Sequence, residues 1–235
     1  MRELSLSDVA SYSKGVIDSS FEQLLIHSVS TDSRSIKDGD LFIALKGDSF
    51  NGHEFIQEAF SDGAVAVMVE EDVDLNVASS SPVILVKDTL NGLQDFAKNY
   101  RQSLNLTGIG ITGSNGKTST KDFIYSVLSE RFSVSATAGN YNNHIGLPLT
   151  ILEADDRHDF GVWEMGMSNP GEIAQLANIA KPNIGVITNV GVAHIENMGS
   201  RESIATEKGA LVESITGDGF VVLNAEDSYA KSIEE

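Results

Sequence analysis

The chain has no cysteine among its 235 residues, so it can form neither a disulfide nor a thiolate metal site. Any metal ion must be held by oxygen and imidazole donors, a set that suits Mg²⁺. Cationic side chains are scarce as well. There are 16 Lys and Arg against 34 Asp and Glu, a formal net charge of −18. A general nucleic-acid binder or an anionic-membrane binder needs a basic face, so neither is expected. Small anionic ligands stay open, because a few local cations and backbone N–H groups suffice to hold them. No apolar run is long enough to span a bilayer, and the opening Met1-Arg2-Glu3-Leu4-Ser5 carries no long apolar segment. The expectation is a soluble cytoplasmic protein. No repeat or low-complexity tract is visible, and the length allows one large domain or two small ones.

What the chain does have is the stretch Gly110-Ile111-Thr112-Gly113-Ser114-Asn115-Gly116-Lys117-Thr118-Ser119-Thr120. Leu106 to Ile109 before it reads as a short buried strand. Phe123, Ile124, Val127 and Leu128 after it recur at helical spacing. A glycine-rich turn from strand to helix collects free backbone N–H groups at the positive end of a helix dipole, which is a place for a phosphate. Lys117 would add a point charge for the β and γ phosphates, and Thr118 a hydroxyl for Mg²⁺. The spacing departs from the Walker pattern of four residues between the first Gly and Gly-Lys, since Gly113 leaves two and Gly110 leaves five.

Around this unit the pattern is α/β. Leu6, Val9 and Ala10 suggest an opening helix capped by a serine, and Leu24 to Ile26 a strand. Leu41 to Leu45, Ala64 to Val69 and Pro82 to Val86 read as further strands, with a helix through Phe55, Ile56, Ala59 and Phe60 ending at Gly63. Glu70 to Ser81 reads as a surface loop. The domain boundary is expected near Asp88, with residues 1–88 as the first domain. Residues 89–235 are expected to form the second, opened by an amphipathic helix through Leu90, Leu93, Phe96, Ala97 and Tyr100.

Several polar positions admit two readings. Ser33 and Arg34 are either a solvated turn with an ion pair to Asp32 or a hydroxyl and guanidinium set to receive an anionic or uridine-bearing ligand. Asn140, Asn142 and Asn143 are either turn formers or amides for a phosphate or sugar. Glu164 closes an apolar strand, Phe160 to Met167, at the end that faces the ligand crevice of a parallel sheet. A carboxylate there is costly unless it holds a cation or a proton, which favours metal binding. Asn169-Pro170-Gly171-Glu172 reads as a helix start with Asn169 as N-cap. His194 follows the strand Ile184 to Val190 and is either structural or a metal or phosphate group. Lys208 lies on the apolar face of a helix capped by Ser200. It either snorkels to solvent or needs a partner. Gly219 to Leu223 reads as the last strand.

Together these segments resemble the Mur ligases of peptidoglycan synthesis, and within them the MurF branch, over nearly the whole chain. The shared residues are Thr31-Asp32-Ser33-Arg34, Gly39-Asp40-Leu41-Phe42 and Gly52-His53, the shortened loop Thr112 to Thr118, Gly139 to Thr150, Glu164-Met165-Gly166-Met167 and Pro170 to Ile173. The resemblance implies a small N-terminal α/β uridine-binding domain followed by a central, mostly parallel-sheet ATPase domain with a phosphate loop, incomplete at its C-terminus. It implies ATP and Mg²⁺, with Thr112, Gly113, Ser114, Asn115, Gly116, Lys117, Thr118 and Ser119 around the nucleotide. Thr118 and Glu164 would hold one Mg²⁺ and His194 a second. Lys208 matches the lysine that becomes a carbamate in several members and, with Lys117 and His194, is assigned to catalysis. Thr31, Ser33, Arg34, Asp48, Ser49, Asn140 and Asn143 are assigned to the substrate.

The implied reaction joins D-Ala-D-Ala to UDP-N-acetylmuramoyl-tripeptide through an acyl phosphate. The alternatives are a MurE-like ligase adding a diamino acid and a nucleotide-binding fragment without turnover. A monomer is expected. Two departures stand out. Asn51 sits where the family usually has Asp before Gly-His. The chain also stops at Glu235, inside the central domain, so a fragment or shortened relative lacking the third, C-terminal domain is expected.

Overall fold

The computed structural model describes residues 1–47, 49–73 and 81–233. Asp48 and most of the loop expected between Glu70 and Ser81 lie outside the described residues. The chain divides into two compact units, Met1–Tyr100 and Arg101–Glu235.

In the first unit, β1 (Leu4–Ser5) runs into α1 (Leu6–Ser13). Ser5 caps α1, accepting from Asp8 N at 3.1 Å while Asp8 accepts from Ser5 N at 3.3 Å, a reciprocal capping box. β2 (Leu25–Ile26) pairs antiparallel with β1. Then come β3 (Ser28–Ser30), β4 (Asp40–Ile43), the hairpin β5 (Lys46–Gly47) and β6 (Phe50–Asn51), α2 (Ile56–Ser61), β7 (Ala66–Glu70) and β8 (Val83–Val86). The sheet order is β3-β4-β7-β8, with every pair parallel. Phe42, Val67 and Val69 on its inner strands, with Ala44 just after β4, bury against Ile56 and Ala59 of α2.

α3 (Thr89–Ser103) follows. Its apolar stripe, Leu93, Phe96 and Tyr100, is fully buried. Phe96 stacks on Tyr12 at 6.4 Å, and Asn99 Nδ2 donates to Tyr12 O at 2.8 Å. The break between the units therefore falls after Tyr100 rather than after Asp88. The sequence pattern groups this helix with the second domain, but its stripe packs on the first.

The second unit is built on β9 (Thr107–Thr112), α4 (Lys117–Ser129), β10 (Val134–Ala136), α5 (Gly146–Glu153), β11 (Phe160–Glu164), α6 (Glu172–Ala180), β12 (Ile184–Ile187), α7 (Ile195–Met198), α8 (Arg201–Ser214), β13 (Phe220–Leu223) and α9 (Ser228–Lys231). Its sheet order is β10-β11-β9-β12-β13, parallel throughout. β9 is central, and the chain passes to β10 on one side and later to β12 on the other. The loops that leave the C-terminal ends of β9, β10, β11 and β12 thus share one edge, where such sheets bind ligands.

Ile109, Ile111 and Val162 on one face meet Ile124 and Leu128 of α4. Phe123 and Val127, which spacing assigns to the apolar stripe, are instead each 73% exposed, and Lys121 is buried. The apolar residues of α4 span two adjacent rows, and the sheet takes only the row that includes Lys121, Ile124 and Leu128.

Arg101, the first residue of this unit, is a structural clamp. Its guanidinium lies 5.1 Å from the Trp163 ring and donates to Ala180 O at 2.9 Å and Leu106 O at 3.2 Å. Burial lowers its pKa to about 10, still far above neutrality.

Candidate active site

β9 ends at Thr112, whose hydroxyl donates to Met165 O at 3.0 Å and so ties the ends of β9 and β11 together. The turn then needs glycine twice. Gly113 has φ +154, and a Cβ there would lie 1.8 Å from Thr188 Oγ1. Gly116 has φ +78 and serves as the N-cap of α4, with open space where its Cβ would stand. Lys117 starts the helix and folds back, its Nζ donating to Gly113 O at 3.0 Å. Ser119 is exposed on the first turn.

Thr118 Oγ1 donates to Glu164 Oε2 at 2.9 Å, and Asn142 Nδ2 donates to Glu164 Oε1 at 2.7 Å. Glu164 is the last residue of β11 and only 2% exposed. Its own N–H donates to Thr137 Oγ1 at 2.9 Å, and the Thr137 carbonyl accepts from the buried Lys121 Nζ at 2.8 Å. A buried carboxylate held by one side-chain donor on each oxygen, with a threonine hydroxyl as one of the two, offers an all-oxygen pair of metal ligands in Glu164 and Thr118. It fits Mg²⁺, which takes few protein ligands and fills the rest of its shell with phosphate oxygens and water. Among the described residues no group of three or more His, Asp or Glu side chains forms a metal cluster.

Of the three asparagines after β10, Asn142 is the one that reaches Glu164. Asn143 Oδ1 accepts from Ile145 N at 3.1 Å and Gly146 N at 2.8 Å at the start of α5. Asn140 is exposed, and its carbonyl accepts from Asn142 N at 2.8 Å. The family resemblance assigns Asn140 and Asn143 to the substrate and gives Asn142 no role, since spacing does not say which of three neighbours turns inward.

β12 stops at Ile187, earlier than the apolar run to Val190 suggests, because Thr188 and Asn189 turn to meet the phosphate loop. His194 follows, exposed and with φ +63 at the start of α7. Its loop is tied to the phosphate loop by Gly191 N, which donates to Ser114 Oγ at 2.8 Å.

Lys208 on α8 is 1% exposed, so it does not snorkel. Its Nζ meets the Met167 sulfur at 3.7 Å. Burial, with a smaller push from Lys117, lowers its pKa to about 8 against a small upward pull from Glu207. Glu207 accepts from Gly171 N at 2.7 Å and Ile173 N at 2.8 Å, capping α6 from a neighbouring helix. The N-cap of α6 is Gly171, not Asn169. Asn169 instead donates from Nδ2 to Glu172 Oε1 at 2.8 Å. A cap supplied from another helix has no local sequence signal.

In the first unit, Asp32 caps the turn Ser33–Ser35 and accepts from Arg34 Nε at 2.8 Å and Nη2 at 2.7 Å. This bidentate contact holds the Asp32 carboxyl well below the usual carboxylate range. Ser33 is buried, Thr31 partly buried and Ser49 exposed. Asn51 Oδ1 contacts His53 Nδ1 at 2.9 Å, and His53 Nε2 accepts from Glu70 N at 3.1 Å.

The model for the Mur ligase middle domain matches residues 111–235, and that for the Mur ligase family catalytic domain matches residues 25–101. The chain belongs to the Mur ligase family. A UDP-N-acetylmuramoyl-tripeptide--D-alanyl-D-alanine ligase of Bacillus subtilis strain 168 is 44% identical, over 94% of this chain and 49% of its own length. Among solved Mur ligases, MurF from Acinetobacter baumannii superposes with a TM-score of 0.91 at 29% identity, over 100% of this chain and 51% of that one. MurF ligase from Thermotoga maritima, in complex with ADP, gives 0.79 at 35% identity, over 88% of this chain and 48% of that one. The chain spans about half the length of the curated relatives it matches.

Proposed function

We propose that the chain carries the substrate-binding and ATP-binding parts of a MurF-type ligase, which joins D-Ala-D-Ala to UDP-N-acetylmuramoyl-tripeptide through an acyl phosphate. The observation that carries this reading is the pairing of Thr118, at the end of the phosphate loop, with the buried Glu164. It is supported by the relatives of that name and by the ADP complex of a neighbour that shares the fold.

In this reading the first unit, Met1–Tyr100, receives the UDP-muramoyl part, with Thr31, Ser33, Arg34, Asp48 and Ser49 near it, and the second, Arg101–Glu235, receives ATP. Arg34 would have to loosen its hold on Asp32 to meet an anion. The tripeptide carboxylate attacks the γ-phosphorus, the bond to the β-phosphate oxygen breaks, and ADP leaves. The amine of D-Ala-D-Ala then attacks the acyl phosphate carbonyl, loses a proton, and phosphate departs. Carboxylate and γ-phosphate are both anions, so the site must offset their repulsion and align them. Lys117 supplies a cation once it leaves the Gly113 carbonyl. The first N–H groups of α4 supply fixed dipoles. Thr118 and Glu164 would hold a Mg²⁺ ion and His194 a second, which when bound supply charge neutralisation at the phosphates. Lys208, with its lowered pKa, has a neutral amine available near pH 8, which can attack CO₂, lose a proton and become a carbamate.

The test is ADP release from Mg-ATP by this chain with UDP-N-acetylmuramoyl-tripeptide and either D-Ala-D-Ala or a free diamino acid. Release that depends on D-Ala-D-Ala is the expected activity. Release that depends on the diamino acid would replace this reading with a MurE-type ligase. Binding of both nucleotides without release would make the chain a binding portion alone, and binding of neither would overturn the reading.

A further inference from the structure

Thr188 and Asn189 belong to no motif that points to the phosphate loop, yet they make most of that loop's contacts with the rest of the sheet edge. Thr188 Oγ1 donates to Asn115 O at 2.6 Å, and Asn189 Nδ2 donates to the same oxygen at 3.0 Å. In return Asn115 N donates to Asn189 Oδ1 at 3.1 Å, and Ser114 N donates to Asn189 O at 3.0 Å. Thr188 N also donates to Thr112 O at 3.0 Å, which keeps its own backbone in register with β9. The Asn189 amide therefore pairs with both polar groups of the Asn115 backbone, as a strand neighbour would.

In a trans peptide, the C=O of one residue and the N–H of the next point in opposite directions. Two donors from β12's end hold the Asn115 carbonyl toward Thr188 and Asn189. The Gly116 N–H is thereby turned away from them, at a residue that is itself exposed. If this peptide flipped, the carbonyl would point into the anion site and repel a phosphate. Gly116 has the conformational freedom to permit that flip, so something outside the loop must prevent it. Gly113 lets the brace close, since any side chain there would take the space of the Thr188 hydroxyl.

We infer that Thr188 and Asn189 are positioning residues for nucleotide binding, which preset the Gly116 N–H as a phosphate donor by pinning the Asn115 carbonyl. The same turn continues to Gly191 and His194, so the phosphate loop and the histidine loop are held as one piece. This inference rests on the reading that the loop holds nucleotide phosphates.

The experiment measures Mg-ADP affinity by calorimetry, and the Gly116 amide resonance with and without ADP, on the 235-residue chain and its variants. Thr188→Val removes the hydroxyl donor, Thr188→Ser keeps it, and Asn189→Asp replaces the amide donor with an oxygen facing the Asn115 carbonyl. At least tenfold weaker ADP binding is expected for Thr188→Val and Asn189→Asp. The ligand-free Gly116 resonance should move in both, and Thr188→Ser should stay within twofold of the parent. Parent-like affinity in Thr188→Val and Asn189→Asp would overturn the inference. So would weak binding with an unmoved Gly116 resonance, or equal weakening in Thr188→Ser. Should Asn189→Asp fail to fold, the Thr188 pair decides alone. If the parent chain binds no ADP, it is the nucleotide reading that fails, not the brace.

Discussion

Thr118 and Glu164 sit on different elements, the first turn of α4 and the last residue of β11, yet a 2.9 Å hydrogen bond joins them. Each oxygen of the buried carboxylate has one side-chain donor and no cationic partner among the described residues. In the function proposed above, this carboxylate would exchange the threonine proton contact for a metal ion, because a cation offsets its burial better than two neutral donors do.

If the proposed function holds, Lys117→Ala should abolish most turnover while leaving the fold, since the side chain's hydrogen bond is to its own loop's Gly113 carbonyl. Near-normal turnover with a native circular dichroism spectrum would contradict the role given to Lys117.

Lys208 offers a pH test. Its folded pKa, about 8, lies below its ordinary value of 10.5, so between these the unfolded chain binds more protons and stability rises with pH. Replacing it by Met, which removes the buried charge, should stabilise the protein by a few kcal/mol at neutral pH, because each tenfold loss of proton affinity on folding costs on the order of 1.4 kcal/mol. That advantage should shrink as pH rises from 7 to 10. Urea denaturation at several pH values checks this, and an advantage that does not change with pH would be contrary to it.

Asn51→Asp should raise the His53 pKa, because a carboxylate would replace the amide oxygen 2.9 Å from Nδ1. In the parent chain burial lowers that pKa, so the unfolded chain takes its proton first and stability falls on acidification through the unperturbed value. In the variant that loss should be smaller. A histidine NMR titration reads the pKa directly, and an unchanged or lower value would count against the contact.

Glu207→Ala should lower stability by about 2 kcal/mol, the usual cost of leaving a buried N–H group, here that of Ile173, without a charged acceptor. Gly171 N and Ile173 N would both lose their partner. A change within 0.5 kcal/mol, roughly the spread of neutral surface substitutions, would mean that α6 is capped by something else.

Local chemistry made much of this chain legible. The Ser5 and Ser200 caps, the strand before Gly113 and the buried-face placement of Lys208 all follow from residues within a few positions of one another. The rest depends on which loop meets which. Asn142, Thr188, Asn189 and Glu207 act across 22 to 76 residues of sequence, and nothing near them records the partner. Phe123 and Val127 show the same limit within a helix, because periodicity finds apolar rows but not which one faces the sheet.

The most direct measurement is ADP affinity by titration calorimetry, with Mg²⁺ and with EDTA, for the parent chain and Glu164→Gln. The parent should bind ADP at least tenfold more tightly with Mg²⁺, and the variant should lose that dependence while keeping its weaker, metal-free binding through Lys117 and the loop amides. Equal Mg²⁺ dependence in both proteins would contradict the assignment of Thr118 and Glu164 as the metal-holding pair of this site.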